Sequence, residues 1–129
     1  MPDHPNAAFA TAFWDAVAQG DSDAVRALLA DEVVWRAGGG HPLSGEFRGP
    51  DAVIDYLARV GESADELTTE LRDIFVNDQG AVVLYHLSAR RELKRLETDL
   101  YLELEIRDGE LIRAGSVSFD QVASSEFWS

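Results

Sequence analysis

The sequence predicts an α+β domain in which a curved antiparallel sheet packs around three helices from the N-terminal half of the chain. Two observations support this prediction: helix-forming segments fill much of the first 60 residues, and strand-forming segments fill most of the rest. The clearest strand is residues 96–106, LETDLYLELEI, where one side of an extended chain carries almost only leucine and isoleucine. Such alternation is typical of a half-buried strand, because successive side chains leave opposite faces of the backbone.

The chain begins with residues 1–6, which are polar and are expected to form a loose lead-in. Large apolar residues then recur at every fourth position and predict an amphipathic helix over about 6–19. Gly20 is expected to end this helix, because glycine adopts the left-handed conformation without strain. Asp21 is expected to cap a short second helix.

The next elements are a strand over 32–37, a short strand near 47–49 and a third helix from Pro50 to about residue 60. Strand 81–92 is apolar on both faces, so it needs helices on one side and, in so short a chain, a partner subunit on the other. The tail is predicted to form a short helix. The four predicted strands of the second half are 67–77, 81–92, 95–107 and 110–119.

Composition and charge exclude several classes of protein. A chain of 129 residues with 46% hydrophobic content is expected to form one domain over 1–129. The net charge of −13 argues against nucleic acid as a partner. The chain has no cysteine and its three histidines lie far apart, so neither a metal site nor any other cofactor is expected. The first 20 residues have no basic flank and no long apolar run, so we expect a cytoplasmic protein without a membrane anchor.

One basic cluster, residues 90–95 (RRELKR), lies where a hairpin turn is expected, and we interpret it as a solvated loop. The dipeptide Asp108-Gly109 predicts a second tight hairpin turn, since both positions of that turn need a positive φ. A sheet of this kind, curled around helices, encloses a conical pocket.

Several segments resemble the SnoaL-like branch of the NTF2-like superfamily: DEVVWRA, HPLSGEFRGPDAV, RDGELI, FDQ and the terminal FW. Ketosteroid isomerases, limonene-epoxide hydrolases, scytalone dehydratases and polyketide cyclases share that fold. The resemblance covers roughly residues 8–128. It implies an NTF2-like conical barrel, and a homodimer packed through the convex face of the sheet, in agreement with the doubly apolar strand. It is poorly specific for chemistry, because one such fold hosts many reactions.

The catalytic residues of these relatives are mostly replaced in this chain. The register of the resemblance puts Arg36 where ketosteroid isomerases have their aspartate base, and Ala12 near their oxyanion tyrosine. Their acidic donor falls near Leu100 or Tyr101. The epoxide hydrolase positions read His86-Leu87-Ser88 and Val117, and the aspartate of the polyketide cyclases falls within about one residue of Asp120.

The predicted catalytic residues are Arg36, His86 and Asp120, with Arg36, His86 and Ser88 assigned to the pocket face of the sheet. Arg36 either binds a carbonyl-bearing or anionic ligand or forms an ion pair with Asp120, Glu46 or Asp51. His86 is either a general acid or base or a satisfied core residue. Asp120 either receives a proton or caps the terminal helix.

The predicted pocket lining consists of Trp14, Tyr56, Phe75 and Ser88, although most of the aromatic residues are expected to belong to the core. Because Trp35 alternates with Arg36, we expect it to face away from the pocket. His41 follows three glycines and is assigned to the mouth of the pocket, on a loop that is either a lid or a simple connection.

Two functions fit these observations. The first is a cofactor-independent isomerase, cyclase, dehydratase or hydrolase that acts on an apolar, carbonyl-bearing small molecule. The second is a non-catalytic ligand-binding or dimerisation module that keeps the fold and has lost the acid–base set. An open pocket with an unpaired His86 would favour the enzyme.

Overall fold

A computed structural model describes residues 4–38 and 42–129, except for the side chain of Gln121. Four helices and six strands were expected and are found within this part of the chain, with boundaries within about three residues of those predicted. The elements are α1 (Pro5–Ala18), α2 (Ser22–Leu28), β1 (Leu29–Ala37), β2 (Gly45–Arg48), α3 (Pro50–Glu62), β3 (Glu66–Asn77), β4 (Gly80–Arg91), β5 (Lys94–Arg107), β6 (Glu110–Ser118) and α4 (Gln121–Trp128).

The six strands form one curved, open sheet in the order β2-β1-β6-β5-β4-β3. Strands β3 to β6 form an antiparallel meander, as predicted. Strand β1 pairs with β6 in parallel, so the expectation of a purely antiparallel sheet is wrong for this pair. A parallel neighbour requires a long crossover connection, and here residues 38–109 separate the two strands. No local pattern in the sequence reports such a pairing.

The sheet has an inner face, which is covered by α1 and α3, and an outer face that no element of the described chain covers. Phe13 of α1 and Val53 of α3 are fully buried against the inner face, together with Val33, Val83 and Leu111 of the strands. The outer face carries the alternate residues of the same strands. The alternation of strand β5 therefore predicts its burial correctly, with the leucines facing in and the acidic residues facing out.

Two turns confirm the glycine signals of the sequence. Gly20 has a φ of +67° at the end of α1, where its N–H donates to the carbonyl of Val17. Asp108 and Gly109 have φ values of +54° and +78° in the β5–β6 turn, the conformation that Asp-Gly favours in tight hairpins.

The basic cluster at the β4–β5 turn has a structural role that the sequence did not reveal. Arg91 donates to the carbonyl oxygens of Phe127 and Ser129 at 3.2 and 2.7 Å, and Lys94 donates to that of Ser129 at 3.2 Å. Cationic side chains at a helix C-terminus donate to carbonyl oxygens that lack a partner within the helix, and they interact favourably with the partial negative charge of that end. The interpretation as a merely solvated loop is therefore wrong for these two residues: they hold α4 against the sheet, where Phe127 and Trp128 are buried.

None of the helices in residues 4–38 and 42–129 combines the length and the hydropathy that crossing a lipid bilayer requires.

Candidate functional site

A cavity of about 570 Å³ lies between the inner face of the sheet and helices α1 and α3. Its volume is within the range of small-molecule sites in proteins. Aromatic rings form much of its wall, and they pack against one another: the ring centroids of Trp14 and Tyr85 are 4.9 Å apart, and those of Trp35 and Tyr56 are 5.9 Å apart. Phe13 packs against Trp35 at 6.1 Å. The cavity is therefore suited to a flat, largely apolar molecule.

The exposed lining residues place the mouth of the cavity between the C-terminal ends of α1 and α3. They include Gln19 and Gly20 after α1, and Glu62 and Asp65 at the end of α3 and just beyond it. Helix C-termini carry a partial negative charge. Among the described lining residues no side chain is basic, so an anionic ligand would meet no counter-charge there.

Tyr56 supplies a hydroxyl group deep in the cavity. Burial raises the pKa of this phenol, while the nearby polar groups of Ser116 and Trp35 and the charge of Arg59 lower it in part. The indole N–H of Trp35 approaches Tyr56 without reaching good hydrogen-bond geometry, and it finds no other acceptor among the described residues. The net result is a Tyr56 pKa above its ordinary value of 10.0, so the phenol is neutral at physiological pH.

Tyr85 supplies a second hydroxyl group in the same cavity. Burial raises the pKa of Tyr85 strongly, and the nearby Tyr56 raises it further. The ring of Tyr85 packs on Trp14. Both phenols are therefore neutral and able to donate a hydrogen bond.

The predicted lining residues divide between the two faces of the sheet. Trp14 and Tyr56 line the cavity. Phe75 and Ser88 lie on the outer face, where Phe75 is 55% exposed, so their assignment to the pocket is wrong. Trp35 was expected to face away but lines the cavity. His41 falls outside the described residues.

His86 also lies on the outer face, which contradicts its assignment to the pocket. Its Nδ1 is 2.8 Å from Oδ1 of Asp99, and its Nε2 is 3.4 Å from Oε1 of Glu97. The hydrogen bond to Asp99 raises the pKa of His86, and the one to Glu97 raises it further. The hydroxyl of Ser88 donates to the same Glu97 oxygen at 3.1 Å. His86 is thus engaged by carboxylates outside the cavity.

Arg36 and Asp120 have structural contacts outside the cavity as well. The side chain of Arg36 is 70% exposed on the outer face, so its assignment to the pocket face is wrong. Its Nη2 is 3.9 Å from Oε2 of Glu46, one of the ion-pair partners that the sequence suggested. Asp120 caps α4, because its Oδ1 accepts a hydrogen bond from the N–H of Ala123 at 3.0 Å. The cap interpretation is confirmed, and the three predicted catalytic residues do not converge on the cavity.

The pairing of β4 with β5 explains why His86 faces outward. Strand β4 is apolar on both faces, so its own pattern cannot tell which face is inside. Residues directly opposite each other on paired strands share a face, and His86 is opposite Asp99. Because the leucines of β5 face in, Asp99 and His86 face out. The tight turn between Arg91 and Lys94 fixes this register. The sequence therefore contained enough information to place Tyr85 on the inner face.

The fold defines a class of protein, the NTF2-like α+β proteins, in which a curved, open sheet folds over helices. Residues 10–114 match the SnoaL-like domain family, and the chain belongs to that family. This confirms the resemblance seen in the sequence. An uncharacterised protein of Mycobacterium tuberculosis (strain ATCC 25618 / H37Rv) is 31% identical to this chain over 115 residues, which cover 88% of each protein.

Two solved structures share the whole architecture. Bal32a, from a soil-derived mobile gene cassette, has a TM-score of 0.91 and is 23% identical, with 97% of both chains covered. TerC, co-crystallised with polyporic acid, has a TM-score of 0.83 and is 20% identical, with 96% of this chain and 98% of TerC covered. At these identities the similarity establishes the fold alone.

Proposed function

We propose that this protein binds an uncharged, largely apolar, carbonyl-bearing small molecule in the inner cavity. The observation that carries the proposal is the cavity itself: about 570 Å³, walled by aromatic rings and open between the ends of α1 and α3. Burying the apolar surface of a ligand there contributes roughly 25 cal/mol for each Å² removed from water. TerC, a protein of similar fold, was co-crystallised with polyporic acid, which supports ligand binding by this architecture.

The positions of Arg36, His86 and Asp120 support ligand binding rather than acid–base catalysis by these three residues. A general acid or base must reach the proton that it transfers, within hydrogen-bond distance or through one water molecule. The three predicted catalytic residues lie outside the cavity. Arg36 is near Glu46, His86 is bound by Asp99 and Glu97, and Asp120 caps α4. Among the described lining residues, the titratable groups are two phenols with raised pKa values and two carboxyl groups near the mouth. Isomerase, cyclase or hydrolase chemistry would have to use these instead.

Isothermal titration calorimetry with a panel of apolar ketones tests the proposal. Val17 lines the cavity on α1, and Val17→Trp fills part of the space that a ligand needs. We expect the variant to weaken ketone binding at least about tenfold, because overpacking excludes the ligand. Ala27→Trp places the same side chain at an exposed position of α2 and serves as the matched control. Equal binding by the two variants would locate the site elsewhere and refute the proposal.

We also propose that two copies of the chain pair through the outer face of the sheet. The support is the apolar surface there: Val82, Leu84, Tyr101 and Val117 are half-buried in the isolated chain, and Phe75 is 55% exposed. Strand surfaces of this kind are more apolar than a solvated face usually is.

Light scattering coupled to size exclusion tests the dimer. We expect wild-type protein at twice the chain mass of 14.2 kDa, and Leu84→Glu at 14.2 kDa. Leu93→Glu makes the same change at a fully exposed turn position and should remain dimeric. A wild-type protein that elutes as a monomer at high micromolar concentration would end this proposal.

A further inference from the structure

We infer that the indole N–H of Trp35 is the hydrogen-bond donor that binds the acceptor oxygen of the ligand in the inner cavity. This inference rests on the proposed ligand-binding function and adds the group that recognises the oxygen. Trp35 is a residue of β1 and lines the cavity.

The indole nitrogen of Trp35 lacks a hydrogen-bond partner in the fold. Nε1 of Trp35 is fully buried, and it is the one buried side-chain nitrogen or oxygen atom that is left without a partner in the described part of the chain. Buried polar groups are nearly always hydrogen-bonded, and one that is not has lost its hydration without compensation. An acceptor brought into the cavity from outside would remove that cost.

The chemistry of indole decides what this partner must be. An indole N–H donates and cannot accept, so only a group with a free lone pair satisfies it. The rings packed on Trp35 include Phe13, at 6.1 Å between centroids, and Tyr56, at 5.9 Å. Phe13 offers no acceptor oxygen, and the hydroxyl of Tyr56 does not reach hydrogen-bond geometry with the indole. An oxygen atom of a bound ligand supplies the missing lone pair.

The position of Trp35 sets how the ligand lies in the cavity. Phe13 of α1, which packs on Trp35, is six residues before Gln19 at the mouth. Tyr56 of α3, which also packs on Trp35, is six residues before Glu62. Six residues of helix span roughly 9 Å. The oxygen of the ligand is therefore held at the inner end of the cavity, and its apolar part extends along the aromatic wall toward the mouth.

Burial also affects how a ligand reaches this nitrogen. It shields Nε1 of Trp35 from water in the free protein, so water does not compete with a ligand oxygen for the N–H. Contact requires a small rotation of the indole ring or of a ring packed against it. A ligand that binds the rotated arrangement more tightly shifts the population toward it. A hydrocarbon of the same shape gains no hydrogen bond from the rotation and leaves the donor unsatisfied.

The test uses 1-tetralone and tetralin, which have the same bicyclic skeleton and differ in one carbonyl oxygen. Calorimetry of wild type is expected to show about threefold to tenfold tighter binding of 1-tetralone, as one hydrogen bond to a buried donor would give. Trp35→Phe keeps an aromatic ring, removes the N–H and should abolish this preference. Trp14→Phe makes the same change at a half-buried position of the same cavity and should keep it. Comparing the two probes within each variant cancels the packing contacts that both probes lose.

The indole signals of ¹⁵N-labelled protein report on the hydrogen bond directly. The chain has three tryptophans, so three indole N–H cross-peaks are expected, and the one absent from Trp35→Phe belongs to Trp35. If that variant does not fold, Trp14→Phe and Trp128→Phe assign the peak by elimination. We expect the Trp35 indole proton to lie further downfield with 1-tetralone than with tetralin, because a hydrogen bond deshields the proton.

The outcomes separate the role of Trp35 from the function on which it rests. If wild type binds both probes equally, if Trp35→Phe keeps the full preference for 1-tetralone, or if the Trp35 proton has the same shift with both probes, the role of Trp35 is wrong although the cavity binds ligands. If neither probe binds, or if Val17→Trp binds both as wild type does, the proposed function is overturned and the role of Trp35 with it.

Discussion

The inner and outer faces of this sheet are built by the same strands and differ in how their polar groups are used. On the outer face, His86 is engaged by Asp99 and Glu97, and Ser88 donates to Glu97. On the inner face, the buried indole N–H of Trp35 has no hydrogen-bond partner in the described part of the chain. The residues usually associated with catalysis are on the face where their hydrogen bonds are already made.

This difference shows where a ligand site is to be sought. A polar group that is satisfied by its neighbours gains little from a ligand, whereas one left unpaired in an apolar cavity gains a hydrogen bond that it otherwise lacks. Residue type alone points to His86 and Arg36. The balance of donors and acceptors points instead to the aromatic cavity, where an indole N–H lacks an acceptor of good geometry among the described residues.

The largest expected effect comes from placing a charge on each face of β4. Val83 is fully buried on the inner face, and its neighbour Val82 is half-buried on the outer face opposite Glu103. Val83→Lys should lower the free energy of unfolding by more than about 3 kcal/mol, because an unpaired ammonium group replaces core packing. Val82→Lys should lower it by less than about 1 kcal/mol.

Urea denaturation, at a protein concentration low enough that association does not contribute, measures both changes. The inner–outer assignment of β4 would be refuted by similar losses for the two variants, or by a larger loss for Val82→Lys. The substitution is the same and the positions are adjacent, so helix or strand propensity cannot account for a difference.

Most of the fold was predictable because its signals are local. The alternation of β5, the capping Asp21 and the Asp108-Gly109 turn each depend on a few neighbouring residues, and all three are confirmed. The parallel pairing of β1 with β6 was missed, because nothing near either strand specifies a partner more than 70 residues away.

The candidate site was predicted only in part. Trp14 and Tyr56 belong to helices with one apolar side, so their inward orientation follows from the helix pattern. Tyr85 and Trp35 belong to strands, where one choice of face decides every residue at once. The prediction took the outer face of β4 as the pocket face. It therefore placed His86 and Ser88 in the pocket and left Tyr85 out of it. The error is therefore one of orientation rather than of pattern.

The smallest expected effect is the pH dependence of the His86 interactions on the outer face. Asp99 and Glu97 raise the pKa of His86 above 6.5, against smaller opposing effects of desolvation and of Arg72. Their contribution to stability is complete below pH 6.5 and is lost as the pH rises through the raised value. The hydrogen bonds of His86 and Ser88 lower the pKa of Glu97 below 4.5, so that contribution is lost as the pH falls through the lowered value. The network should stabilise the fold most between pH 4.5 and 6.5.

Thermal unfolding of wild type and His86→Gln measures this effect. The melting temperature of wild type should exceed that of the variant most near pH 5.5, and the difference should shrink by pH 8, as the neutral imidazole no longer pairs with the carboxylates. The difference is expected to be small, because the carboxylate side chains are 44% and 73% exposed and water screens them. Glu70, opposite His86 on β3, pairs with Arg72 at 2.6 Å, and Glu70→Gln serves as the control that leaves both carboxylate partners in place. A difference between wild type and His86→Gln that grows from pH 5.5 to pH 8 would mean that His86 is stabilised as the neutral imidazole, which is the behaviour of a buried inner-face residue and not of an outer-face ion pair.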